Sequence, residues 1–235
     1  MIKNRSPLSR IKLVCILLIS VGIFLLAMKD QIWESKEPIV FTMAADADNP
    51  SDARVFTFSP EYQHQLKLTG HRGNLDPKPL DDIRLFSVGI KYPSGEPDRD
   101  FSPKEDSILI HVNMQDRNRA THIFKEFPSD IQQRLLATQS RGQFIEFDPM
   151  PKIIYRRIRA AMIDDKGYPV VIIQSPEGLH NYDSDHPLNN EINIRYMYSK
   201  NLPVSFKDMD DFVMNFIRSH SQPISTSSPS HSSSK

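Results

Sequence analysis

EINIRYMYSKNLPVSFKDMDDFVMNFIRS, Glu191–Ser219, decides the fold. In its first third Ile192, Ile194, Tyr196 and Tyr198 alternate with Asn193, Arg195 and Met197, the period-two pattern of a strand with one buried face. After Leu202-Pro203 the period changes. Ser205 can cap a helix, with Asp208 at the capping-box position as a shorter stand-in for Glu. Phe206, Met209, Phe212, Val213, Phe216 and Ile217 then form one apolar stripe at helical spacing. A half-buried strand followed by an amphipathic helix implies a sheet with a helix laid on one face.

Outward from there the chain reads mostly as strands. Tyr168–Gln174 (YPVVIIQ) is a short apolar run behind the turn Asp164-Asp165-Lys166-Gly167, where Gly167 can take positive φ. Lys152–Ile163 fits a helix face through Ile153, Ile154, Arg157, Ile158, Ala161 and Met162. The tight turn and the strand-forming Ile and Tyr residues favour a hairpin instead. Ser175–Asn189 reads as a polar loop. Ser107–Met114, Ile83–Tyr92, His64–Thr69, Arg54–Ser59 and Pro38–Ala44 each alternate or centre on β-branched and aromatic residues, and Gln143–Phe147 is a short strand. Ser129–Ser140 reads as a helix, with Asp130 in its first turn. Ser221–Lys235 (SQPISTSSPSHSSSK) reads as a disordered Ser-rich tail.

At the other end lies LVCILLISVGIFLLAM, Leu13–Met28, with Ser20 its one polar side chain. As a helix, and counted from Ile11, the apolar span reaches roughly 24–27 Å, close to what crosses a bilayer core. Lys3, Arg5, Arg10 and Lys12 precede it with no acid, so an inside N-terminus is expected. A cleaved signal peptide is the alternative, but Leu25–Ala27 puts Leu at the outer cleavage position, and Ala45-Asp46-Ala47 lies too far downstream. The expected layout is a cytoplasmic basic segment (1–10), a transmembrane signal-anchor (11–28), a linker (29–37), a periplasmic α+β domain (38–220) and the tail (221–235). That makes a single-pass protein of a bacterial inner membrane. The expected fold class is α+β: an N-terminal transmembrane helix, then a mostly antiparallel sheet of six to nine strands packed with the C-terminal helix.

The formal charge is zero, from 29 Lys and Arg against 29 Asp and Glu. With four cations before residue 28, the remainder is acidic on balance, which disfavours general nucleic-acid binding. Cys15 is the one cysteine and lies inside the apolar run, so no disulfide staples the body.

Two clusters could carry chemistry. His180, Asp183, Asp185 and His186 offer two imidazoles and two carboxylates within seven residues, a set that could take a divalent metal or belong to a solvated loop. Arg156, Arg157, Arg159 and Arg195 could form a basic stripe on neighbouring strands, suited to an acidic partner surface or to cross-strand pairing with acids. There is no G-x-S-x-G, no Gly-rich phosphate loop, and no cysteine outside the apolar run. The paired acids Asp81-Asp82, Asp164-Asp165 and Asp210-Asp211 lie beside turns or on a helix. No catalysis and no cofactor are expected.

Three features carry a resemblance. They are the apolar N-terminal run, the Ile83–Tyr92 strand ending in Tyr92-Pro93-Ser94, and the Ile192–Tyr198 strand leading through Leu202-Pro203 into the terminal helix. The arrangement resembles small membrane-anchored periplasmic proteins that act as immunity proteins against type VI secretion toxins. The resemblance implies a module that binds a protein partner, a toxin, and blocks it. An anchored envelope hydrolase or metal-dependent enzyme, and a scaffold subunit of an envelope or secretion complex, are the alternatives.

Overall fold

Strand-forming residues at period two dominate the chain, and the fold follows from pairing them. The computed structural model describes residues 37–43, 53–70, 83–98, 106–114, 119–137, 141–147, 157–175 and 180–224. The chain divides into two compact units, Met1–Pro38 and Ile39–Lys235, and only Glu37 and Pro38 of the first are described.

The larger unit is built on an eight-stranded antiparallel sheet. Its strands are β3 (Leu66–Gly70), β4 (Ile83–Lys91), β5 (Ser107–Met114), β6 (Ile145–Glu146), β7 (Arg157–Ile163), β8 (Pro169–Gln174), β9 (Asn181–Pro187) and β10 (Ile192–Ser199). They lie in the order β3-β4-β5-β10-β9-β8-β7-β6. Two meanders therefore meet at β5 and β10. The link from β5 carries helices α1 (Arg119–Lys125) and α2 (Ser129–Leu136) to the far edge, and the chain then folds back strand by strand. A second sheet, β1 (Ile39–Met43), β2 (Arg54–Phe58) and β11 (Ser221–Pro223), has β2 at its centre.

Alternation assigns each face. Ile108, Ile110 and Val112 of β5, with Ile192, Ile194, Tyr196 and Tyr198 of β10, turn towards helix α3 (Phe206–Ser219) and the small sheet. Phe41, Phe56 and Phe58 come from the small sheet, and all three pack on Phe86 of β4 at ring-centroid distances of 5.1, 4.9 and 5.7 Å. Each such aromatic pair contributes about 0.5–1.5 kcal/mol beyond the burial of its area. A second cluster on the opposite face joins Ile158, Ala161, Val171 and Ile173 to Ala120 and Ile123 of α1 and Leu135 of α2.

Helix α3 starts as its sequence dictates. The Ser205 hydroxyl accepts from the Asp208 N–H at 3.1 Å and donates to the Asp208 carboxylate at 2.7 Å. Met209, Val213, Met214, Phe216 and Ile217 are buried, whereas Phe206 and Phe212 are half-buried. The β7–β8 hairpin forms as its turn requires: Gly167 has φ of 90°, and Asp164 Oδ1 accepts from the N–H groups of Lys166 and Tyr168 at 3.0 and 2.7 Å.

Several expectations are corrected. The fold class is not α+β led by a membrane helix. The described residues form a mostly antiparallel β structure with three α-helices, and none of these helices is long and apolar enough to cross a membrane. Leu13–Met28 lies outside the described residues, so the single-pass inner-membrane placement, which rested on that helix alone, has no support in the structure. Ser175–Asn189 is not all loop, because it contains β9. The tail begins with β11, whose residues pair with Arg54–Phe56 of β2, since an open strand edge accepts any backbone. Ser225–Lys235 lies outside the described residues. Helix α1 was not expected, as seven residues with two buried side chains leave little periodic signal.

Candidate functional site

The most site-like residues of the sequence lie on β9, Asn181-Tyr182-Asp183-Ser184-Asp185-His186-Pro187. This polar segment is a strand because the next residues close a tight hairpin. Asn189 Oδ1 accepts from the N–H groups of Glu191 and Ile192 at 3.0 and 2.7 Å, and β9 pairs with β10 from Pro187↔Asn193 to Asn181↔Ser199. Alternation then sends neighbouring side chains to opposite faces. Ser184 and His186 face α3, and Asp183 and Asp185 face α1.

On the α3 side His186, 3% exposed, lies between two carboxylates. Its Nδ1–H donates to Asp210 Oδ1 and Oδ2 at 2.9 and 3.0 Å, and its Nε2–H donates to Asp164 Oδ2 at 3.3 Å. Tyr196 adds its hydroxyl to Asp210 Oδ1 at 2.9 Å. Burial alone would favour a neutral imidazole. The Asp210 charge and the hydrogen bonds to both acids outweigh it and raise the His186 pKa to about 9. Burial pushes the Asp164 carboxyl up, but the His186 hydrogen bond and the backbone donors of its turn bring it below its ordinary value. Burial and the Asp210 charge hold the Tyr196 hydroxyl protonated. The imidazolium therefore fastens β9 to α3 and to the β7–β8 turn.

On the α1 side Arg195 from β10 grips Asp183 with two hydrogen bonds, Nε to Oδ1 at 2.8 Å and Nη2 to Oδ2 at 2.6 Å. Arg119 of α1 reaches the same carboxylate at 3.3 Å and Asp185 Oδ2 at 2.8 Å. Burial raises the Asp185 pKa against the opposing Arg119 charge, and the Asn193 amide donates to its other oxygen at 3.1 Å. One strand further along, His111 Nδ1 and Ser87 Oγ lie 2.6 Å apart, and burial lowers the His111 pKa.

The four metal-candidate residues are thus not brought together. His180 is exposed just before β9, Asp183 and Asp185 share one face, and His186 occupies the other. Among the described residues no three His, Cys, Asp or Glu side chains are grouped so as to hold a metal ion. The arginines are also dispersed. Arg156 lies outside the described residues, Arg157 is exposed and Arg159 half-buried on β7, and Arg195 stands on β10 beyond β8 and β9. Sequence reasoning missed Arg119, Asp164, Tyr196 and Asp210 as members of these clusters. The one local signal was the Asp-x-Asp spacing followed by an Asn-Asn turn and Arg195.

Among the described residues, hollows open on the surface at two places that bear on function. One, of about 310 Å³, lies over the His186 cluster and is rimmed by Lys166, Lys207, Asp211 and Arg218. Lys207 is already paired with Asp211 across one helical turn. The other, of about 480 Å³, lies where the Pro60–Tyr62 turn, the Ser94–Glu96 turn and the last turns of α3 meet.

No family model matches the chain, and no curated protein does. A solved structure with a similar arrangement is that of an immunity protein of the Stenotrophomonas maltophilia type IV secretion system. The likeness covers 80% of this chain and 94% of that one, at 11% identity and a TM-score of 0.41. The secretion system named there is type IV, whereas the sequence resemblance points to type VI.

Proposed function

We propose that the Ile39–Ile224 body is a protein-binding module of the immunity type, which binds a toxic protein and blocks it without catalysis of its own. The observation that carries this reading is the commitment of His186. Both ring nitrogens of the histidine in the sequence's most site-like cluster are held by buried carboxylates, and the Tyr196 hydroxyl is spent on Asp210. A general base needs a free nitrogen within reach of a substrate proton, and here neither is free. The cluster is built as a fastening. The features left for recognition are surface ones. Arg195 supports this, since Asp183 fixes its guanidinium while 40% of the side chain stays exposed, presenting an oriented cation to an acidic partner. With Arg157 it is our choice of contact residue among the arginines.

The test is capture. The full chain, immobilised, is exposed to extract from its own host and from sister strains, with His186→Ala as a scaffold control. Recovery of a toxic protein whose activity the chain abolishes at equal molar ratio supports the reading. Turnover of a small substrate by the chain itself, lost in His186→Ala at unchanged fold, would replace it with the hydrolase alternative.

A further inference from the structure

The 480 Å³ hollow has a chemistry of its own. Its floor is aromatic: Tyr62 and Phe216 have ring centroids 6.0 Å apart, His220 lies 4.4 Å from Phe216, and Phe212 adds a further wall. Its rim carries two carboxylates, Glu61 and Glu96, both exposed, and among the described residues no Lys or Arg lines it. The third wall is the C-terminal end of α3, where the carbonyl oxygens are the negative pole of a 14-residue helix. Phe216 O accepts from the Ser219 hydroxyl and the His220 Nδ1–H, both at 2.8 Å.

These three sources of negative potential converge on one concave place. Tyr62 registers the two carboxylates. Its hydroxyl donates to Gly95 O at 2.6 Å, and its pKa is raised to about 12 by burial first and then by the charges of Glu61 and Glu96. Glu61 Oε1 accepts the Ser59 hydroxyl at 2.7 Å, which holds the carboxylate on the rim. Aromatic faces beneath carboxylates form a cup for an organic cation, which stacks on the rings while its N–H groups meet the acids.

We propose that this hollow, walled by Tyr62, Phe216, His220, Glu61 and Glu96, receives an arginine side chain of the protein partner. The inference rests on the binding-module reading, and it names the chemistry by which that partner is held. The guanidinium matches the hollow in charge: Tyr62 and Phe216 are only 5% and 8% exposed, so its plane lies against the half-buried rings of Phe212 and His220, and its N–H groups are offered to the rim carboxylates.

The experiment uses the full chain and N-acetyl-arginine amide as probe, with the citrulline amide, equal in shape but uncharged, as its control. Amide chemical shifts are followed in both titrations. Saturable shifts confined to Glu61–Tyr62, Ser94–Glu96 and Phe212–His220 are expected with the arginine probe. The citrulline probe and a Glu61→Gln/Glu96→Gln variant should each bind about tenfold more weakly, the loss of the charge and cation–π contribution. Equal binding of the two probes, or no saturable shift at these residues, would overturn the assignment. The outcome is separable from the function itself. A chain that neutralises a toxin but ignores the arginine probe loses only this inference, and a chain that binds the probe but has no toxic partner loses only the immunity reading.

Discussion

Replacing His186 with alanine tests the fastening directly. In the native protein the single positive charge of the imidazolium lies between two carboxylates, Asp210, 1% exposed, and Asp164, 7% exposed. Without it two buried carboxylates face a space with no cation between them. Tyr196 still donates to Asp210, and the Lys166 and Tyr168 N–H groups still donate to Asp164, so the acids stay hydrogen-bonded but uncompensated. Removing one partner of a buried ion pair costs about 3–5 kcal/mol. For a chain of this size each kcal/mol lowers the melting temperature by about 2–4 °C. The expected fall is therefore roughly 6–20 °C, with a matching shift in the urea midpoint followed by far-UV circular dichroism. His186→Ala combined with Asp210→Asn should cost less than the two single changes together, because neutralising Asp210 removes much of what His186 compensates. A loss below about 1 kcal/mol, or strict additivity in the double variant, would refute the reasoning.

The same cluster sets a pH dependence. The folded His186 pKa, about 9, lies above its ordinary value of 6.5. Its stabilisation is therefore complete below pH 6.5 and fades as pH rises through about 9, by roughly 3 kcal/mol in all. Denaturation midpoints measured between pH 6 and 10 should fall in the native chain and stay flatter in His186→Ala. Tyr196→Phe removes the hydroxyl that donates to Asp210 and should cost about 1–3 kcal/mol, read from urea midpoints. Gly89→Ala would place a Cβ 2.9 Å from the Asp98 carbonyl oxygen, in the segment whose side chain accepts from Ser107. That backbone cannot yield cheaply, so a loss of about 1–3 kcal/mol is expected in the same assay, and an unchanged midpoint would contradict the packing described.

The strands of β4, β5 and β10 and the course of α3 were legible because their buried faces are apolar at a single period. The β7–β8 hairpin was legible from its turn, Asp164 to Gly167, although the helical alternative fitted the apolar positions of Lys152–Ile163 as well. β9 was not legible. Its Asp183, Asp185 and His186 are buried because Arg119, Arg195, Asp164 and Asp210 meet them, and those partners lie 12 to 66 residues away in sequence. A polar strand buried by ion pairs looks like a loop until its partners are placed. For the same reason the metal-candidate cluster looked gathered in sequence and is divided in the fold, since alternation sends adjacent residues to opposite faces. β11 was hidden differently: Ser221-Gln222-Pro223 has no strand signal, and the open edge of β2 supplies the order.

Deletion in the host is the most direct measurement of the proposed role. A strain lacking this chain, grown in contact with sister cells that carry the cognate toxin, should lose viability, and restoring the full chain should return it. Equal survival with and without the chain, across sister strains that kill other targets, would contradict an immunity function.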